Sequence, residues 1–194
     1  MAASTKPQRL FVAVPIDDAV RSLARARVED LRKAGGDVKW ADPESMHLTL
    51  RFLGSQPPRL LEPLGRAIGA VVAKEKPVEL FFDRLDYFGR RGRPDVIWAG
   101  TSRGGNALIR LAAALDAAFA ELGIPREGRE FQPHLTLGRA RTHDGLKPLS
   151  LAIAGAAPLN WPLRVDRLVL YRSELRASGA VHAAVFEARL ALAQ

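Results

Sequence analysis

A histidine and a threonine stand two positions apart in "MHLTLRFLG" (46–54), and the same four letters, His-Leu-Thr-Leu, return in "FQPHLTLGR" (131–139). Both stretches read as apolar strands, in which residues i and i+2 share a face. His47 and Thr49 therefore point one way while Leu48 and Leu50 point into a core. His134 and Thr136 stand in the same relation to Leu135 and Leu137. An unperturbed imidazole titrates near pH ~6.5, so two facing rings can hold one proton between them at neutral pH. One then serves as general base and the other as general acid, the pair that in-line displacement at phosphorus requires. The threonine hydroxyls can donate to non-bridging phosphate oxygens and keep phosphorus between the rings. A lone histidine on a strand is more often a hydrogen-bonded structural residue. Two copies at matching places in the chain favour chemistry.

The flanking pattern supports matching places. "RLFVAVPI" (9–16) reads as a buried strand, followed by a helix that Asp17 and Asp18 cap, with Val20, Leu23, Ala24, Val28 and Leu31 on one face. Gly35 and Gly36 stop it. A short strand, "DVKWA", precedes the first motif, and Pro57-Pro58 opens a second helix with Leu60, Leu61, Leu64, Ile68 and Val71 aligned. "VELFFDRLDYFG" is one long strand or two short ones. After the basic turn "GRRGRPD" the order recurs: a strand, "DVIWAGTS", a helix carrying Leu108, Leu111, Leu115, Phe119 and Leu122, then the second motif. The two histidines lie 87 residues apart, and Val12 and Val96 lie 84 apart. Nearly equal offsets imply a duplication into two lobes rather than a repeat array. "RVDRLVLYRSEL" and "VHAAVFEARLAL" close the chain as an antiparallel strand pair.

Composition narrows the class. The 194 residues, 47% hydrophobic, suit one compact domain or two small lobes with a shared core. There is no cysteine, which excludes disulfides, thiolate metal sites and thiol nucleophiles. The polar opening "MAASTKPQRL" has no apolar h-region, so no signal peptide is expected. "PLSLAIAGAAPLNWPL" is short and broken by proline, so no membrane span is expected. The expectation is a soluble cytoplasmic protein, monomeric by default. The net charge of +8 would attract RNA or a phosphorylated nucleotide, although scattered arginines could arise from compositional bias alone.

The two motifs resemble the paired His-x-Thr-x signatures of the 2H phosphoesterase superfamily. More narrowly, the chain is similar to the RNA 2′,3′-cyclic phosphodiesterases, also called 2′-5′ RNA ligases, with "LFVAVPI", "VIWAG" and "LVLYRSEL" in the places where that family has similar segments. The resemblance implies an α+β fold, bilobal with pseudo-twofold symmetry, whose antiparallel sheets line a central cleft with helices outside. Residues 1–194 would form a single domain of two intertwined lobes. It implies hydrolysis of a terminal 2′,3′-cyclic phosphate on RNA ends or cyclic nucleotides to a 2′-phosphomonoester, without metal or cofactor, and reversible 2′-5′ ligation. By the same resemblance His134 activates water, His47 protonates the departing 3′ oxygen, and Thr49 and Thr136 hold the phosphate. Arg139 would pair with phosphate oxygens and Phe52 would stack on the terminal base. Each lies five positions after its histidine, so an unbroken strand aims both away from the cleft. A bulge or strand end at Gly138 or Gly54 resolves this. If the second strand runs straight, Arg51 becomes the stronger phosphate contact.

Two other readings compete. "GTSRG" (100–104) fits a nucleophile elbow between strand and helix, with Ser102 as the nucleophile of a serine hydrolase. Against it, Ser102 can simply cap the turn, and the strand–helix alternation of that fold is lacking after residue 140. A non-catalytic RNA-binding module suits the charge but carries no RNA-binding signature. Two histidines without acidic partners at ligand spacing fall short of a metal site. His143 reads as a solvated turn residue and His182 as a surface or structural one. Tyr171 and Arg172 receive no role, and Trp40, Trp98 and Trp161 read as packing.

Overall fold

The computed structural model describes residues 6–176 and 179–191. Strand β1 (Gln8–Pro15) leads into α1 (Asp18–Arg32), where the Asp17 side chain accepts from the Val20 N–H at 2.8 Å and so caps the helix. Gly35 and Gly36 follow with φ of 79° and 93°, left-handed values that end it. Then come β2 (Val38–Trp40), the motif strand β3 (His47–Gln56), α2 (Leu61–Val72) and a single long β4 (Val78–Arg90). Pro57 and Pro58 lead into a 3₁₀ turn rather than directly into α2. The second half runs β5 (Arg93–Arg103), α3 (Gly105–Ala120), the second motif strand β6 (His134–Ala140), α4 (Lys147–Ala154), β7 (Trp161–Val165), β8 (Arg167–Arg176) and β9 (Gly179–Arg189). No helix among the described residues is long and apolar enough to cross a membrane.

Two antiparallel sheets result, ordered β3-β1-β8-β9 and β2-β6-β5-β4-β7. The orders correspond: β1 beside β3 matches β5 beside β6, and β8 matches β4. Helices α2 and α3 pack on the first sheet, and α1 and α4 on the second. Thus the helix leaving β1 covers the opposite sheet, and so does the helix leaving β5. The motif strands β3 and β6 touch where the sheets meet. Their leucines, Leu48, Leu50, Leu135 and Leu137, are buried in the shared core, each contributing on the order of 2 kcal/mol.

Three expectations needed revision. Leu23, placed on the buried face of α1, is exposed, and Val20, Ala24, Val28 and Leu31 carry that face. The apolar run after residue 147 holds α4 and β7, which continuous hydrophobicity broken by Gly and Pro had hidden. Pro162 fits in β7 because that strand is a sheet edge. Finally, Val12 opposes Arg51 while Ile97 opposes Gly138, so Ile97, not Val96, is the counterpart of Val12.

Candidate active site

The register of the motif strands decides which side chains share the cleft. In β3, Ala13 opposes Thr49 and Val12 opposes Arg51, leaving Leu50 as an extra residue. In β6, Trp98 opposes Thr136 and Ile97 opposes Gly138, leaving Leu137 extra. Each strand therefore bulges three residues after its histidine, which resets the alternation. Phe52 and Arg139 consequently rejoin the face of His47-Thr49 and His134-Thr136. Gly138 is required beside the second bulge because a Cβ there would lie 2.8 Å from the Trp40 ring. A further bulge at Leu53 precedes Gly54, whose φ is 68°.

His47, Thr49, Phe52, His134, Thr136 and Arg139 all line one open cleft of about 1190 Å³. Each histidine Nδ1 lies against a backbone carbonyl, His47 at 2.8 Å from Ser45 O and His134 at 2.7 Å from Gln132 O. A carbonyl only accepts, so Nδ1 carries the hydrogen in both rings and the neutral imidazole keeps its lone pair on Nε2. The Phe11 ring stacks on His47 with centroids 4.7 Å apart, and Phe88 meets His134 edge-on at 5.0 Å. Burial lowers the His47 pKa to about 4, against the opposing pull of the Ser45 carbonyl, and the facing His182 lowers it further. Burial also lowers that of His134, and the Arg139 guanidinium adds to the effect. Burial therefore favours the neutral form of both rings at pH 7, rather than one proton shared as unperturbed values imply. An anion placed between them supplies the opposite charge that raises both.

Three further polar side chains of the cleft are unengaged. Neither the Thr49 nor the Thr136 hydroxyl has a protein hydrogen-bond partner among the described residues, and Arg139 has no ion pair there. Arg9 and Arg129 line the same cleft. Phe52 is 59% exposed at its rim, 5.9 Å from the Phe11 ring.

The other candidates are engaged within the structure. Arg51 is only 7% exposed and is consumed by structure: Nε binds Asp116 Oδ1 at 2.7 Å, and the other nitrogens donate to Phe52 O and Pro125 O. The bulge at Leu50 turns it toward Asp116, so Arg51 reaches the wall of the cleft only as part of this buried pair. Ser102 donates to Asp83, whose carboxylate also receives the Ser102 N–H, and neither residue lines the cleft. That removes the serine-hydrolase reading. His143 is exposed but partnered, with Nε2 2.5 Å from Asp95 Oδ1, rather than merely solvated. Trp98 and Trp161 are buried, and Trp40 packs against the core at β2.

His182 is the residue that sequence reasoning missed. It lines the cleft, its ring edge-on to His47 at 5.2 Å and to Phe11 at 5.0 Å, with a buried Nδ1 that has no hydrogen-bond partner among the described residues. Its strand partner Ser173 also lines the cleft, a register that no local pattern in "VHAAVFEA" announces.

A family model described as the 2′-5′ RNA ligase superfamily matches residues 19–177. A Thermus thermophilus protein named RNA 2′,3′-cyclic phosphodiesterase is 34% identical over 183 residues, covering 90% of this chain and 86% of that one. A Geobacillus stearothermophilus protein of the same name is 31% identical over 171 residues, 88% of this chain; the match spans 54% of that relative's length. A crystal structure of a Thermus thermophilus protein superposes with a TM-score of 0.79 at 27% identity, covering 94% of this chain and 97% of that one.

Proposed function

The chain belongs to the 2′-5′ RNA ligase superfamily, and on that premise we propose that it hydrolyses terminal 2′,3′-cyclic phosphates of RNA to 2′-phosphomonoesters. The observation that carries the reading is the pair of imidazoles, each held by its Nδ1–H on a backbone carbonyl and both lining one cleft. The activity for which the relatives are named agrees with it.

In this reading the cyclic phosphate lies between Nε2 of His47 and Nε2 of His134. Water attacks phosphorus and gives its proton to His134 as the P–O3′ bond breaks. His47 delivers a proton to O3′, and the 2′-phosphate remains. His47 acquires that proton with the substrate, since the phosphodiester anion offsets the burial that keeps the ring neutral. Thr49 and Thr136 donate to the non-bridging oxygens, Arg139 neutralises the charge that develops there, and Phe52 stacks on the terminal base. A 5′-hydroxyl in place of water gives the 2′-5′ ligation by the same steps. No step calls on a metal, and the protein acts as a cytoplasmic monomer of one domain with two intertwined lobes.

The test is a panel of oligonucleotides and mononucleotides ending in 2′,3′-cyclic phosphate, assayed with and without EDTA. A 2′-phosphate product at undiminished rate in EDTA is expected. A 3′-phosphate product would reverse which oxygen departs, and loss of turnover restored by a divalent cation would end the two-histidine mechanism.

A further inference from the structure

The β4–β5 hairpin reaches beyond the cleft and carries an unneutralised cationic tip. Phe88 lines the cleft beside His134, and two residues further along the same strand comes Arg90, followed by Arg91 and Arg93 across the turn. All three arginines are exposed, and among the described residues none of their side chains has a hydrogen bond, ion pair or ring contact. The acids nearby do not pair with them. Among the described residues neither Asp95, which lies against His143, nor Asp86, which accepts from the Tyr87 N–H, makes an ion pair with any of the three. Arg141 is neutralised by Asp37, which leaves Arg139, opposite Val96 on β6, as a fourth free cation at the cleft end of the hairpin.

The tip is a built turn. Gly89 has φ of 134° and Gly92 φ of 74°, conformations that side chains rarely adopt, and the Gly92 N–H donates to the Tyr87 hydroxyl at 3.0 Å. Asp95 is an extra residue where Phe88 opposes Val96 and Gly89 opposes Pro94, so the hairpin twists at that point. At about 3.3 Å per strand residue, Arg90 and Arg91 stand about 7 to 10 Å past Phe88. One or two nucleotides bridge that distance. Three free guanidiniums on a fixed turn, continuous with an anion-binding cleft, suit a chain of phosphates.

We propose that Arg90, Arg91 and Arg93 form a second contact for single-stranded RNA, holding backbone phosphates upstream of the terminal nucleotide, so that the protein favours RNA ends over cyclic mononucleotides. This rests on the phosphodiesterase reading of the cleft and adds the preference for a polynucleotide. The contact is electrostatic: it releases counterions, strengthens binding without reading bases, and leaves the chemistry at phosphorus unchanged.

The experiment compares the wild type, the Arg90→Gln/Arg91→Gln/Arg93→Gln protein and the corresponding triple Arg→Lys protein. Substrates are a short oligoribonucleotide with a 2′,3′-cyclic end and a 2′,3′-cyclic mononucleotide, across a salt series. For the oligonucleotide, kcat/KM should fall on the order of tenfold in the Gln protein. The slope of log kcat/KM against log salt should flatten by about 2, roughly 0.7 for each of three lost phosphate contacts. Mononucleotide turnover should not change, and the Lys protein should keep the slope. Equal effects on both substrates, or no effect on the oligonucleotide, would overturn the proposal. Should the wild type hydrolyse neither substrate, the phosphodiesterase reading fails instead. Anisotropy binding of the same oligonucleotide then decides the hairpin by the same slope.

Discussion

Replacing His47 with Gln should change how folding stability depends on pH, by an amount the structure sets. Burial lowers the folded-state pKa of His47 from 6.5 to about 4. The unfolded chain therefore takes up this proton first as pH falls. The stability that goes with a neutral, buried ring is complete above pH ~6.5 and is lost as pH drops from there through about 4. A displacement of about 2.5 pH units corresponds to about 3 kcal/mol in full, of which about 2 kcal/mol is lost by pH 5. Glutamine does not titrate, so the variant should lack that part of the acid sensitivity. His134 and His182, both also lowered by burial, keep the same sign in either protein and cancel from the comparison. Urea denaturation followed by tryptophan fluorescence at pH 7 and pH 5 reads the difference. The wild type should lose about 2 kcal/mol more than the variant between the two pH values. Parallel losses would mean that the ring is solvated in the folded state. The assignment of a neutral His47 at pH 7 would then be wrong.

Three further outcomes are expected. Arg51→Met should destabilise the fold by about 3 kcal/mol, the lower end for a broken buried pair because Asp116 keeps some solvent contact; an unchanged urea midpoint would contradict a structural role for the Arg51–Asp116 pair. Phe52→Ala should raise KM for an oligonucleotide by roughly ten- to a hundredfold with little change in kcat, since base stacking is worth about 1–3 kcal/mol; a fall in kcat alone would remove Phe52 from base binding. His182→Gln should raise the pKa of His47 in an NMR titration of the imidazole nitrogens, because a protonated His182 repels a proton on the facing ring. Arg21 and Tyr171, which line the smaller cavity behind the two rings, are unaltered by that change.

The motif strands, the capped helix α1 and the terminal pair β8–β9 could be read from period and end signals, because each has a local pattern. The bulges could not. Nothing in "HLTLRF" marks Leu50 as unpaired, yet that one residue turns Arg51 toward Asp116 and brings Phe52 to the face of the two motif side chains. Gly138 came nearest to a signal, since it adjoins the second bulge, and its reason for being glycine lies in Trp40 on another strand. The fate of Arg51 depends on Asp116, 65 residues away, and the placement of His182 on its register with Ser173. Pairings of that kind are tertiary, and the apolar run that hides α4 and β7 has no period to read.

Whether two imidazoles act on one phosphorus is tested most directly by comparing His47→Ala, His134→Ala and the double variant. Each single change should lower kcat on the order of a thousandfold. Groups that act as a unit lose little more when both are removed, so the double variant should be about as slow as either single one. Losses that multiply, to on the order of a millionfold, or a single variant that retains full turnover, would contradict the account.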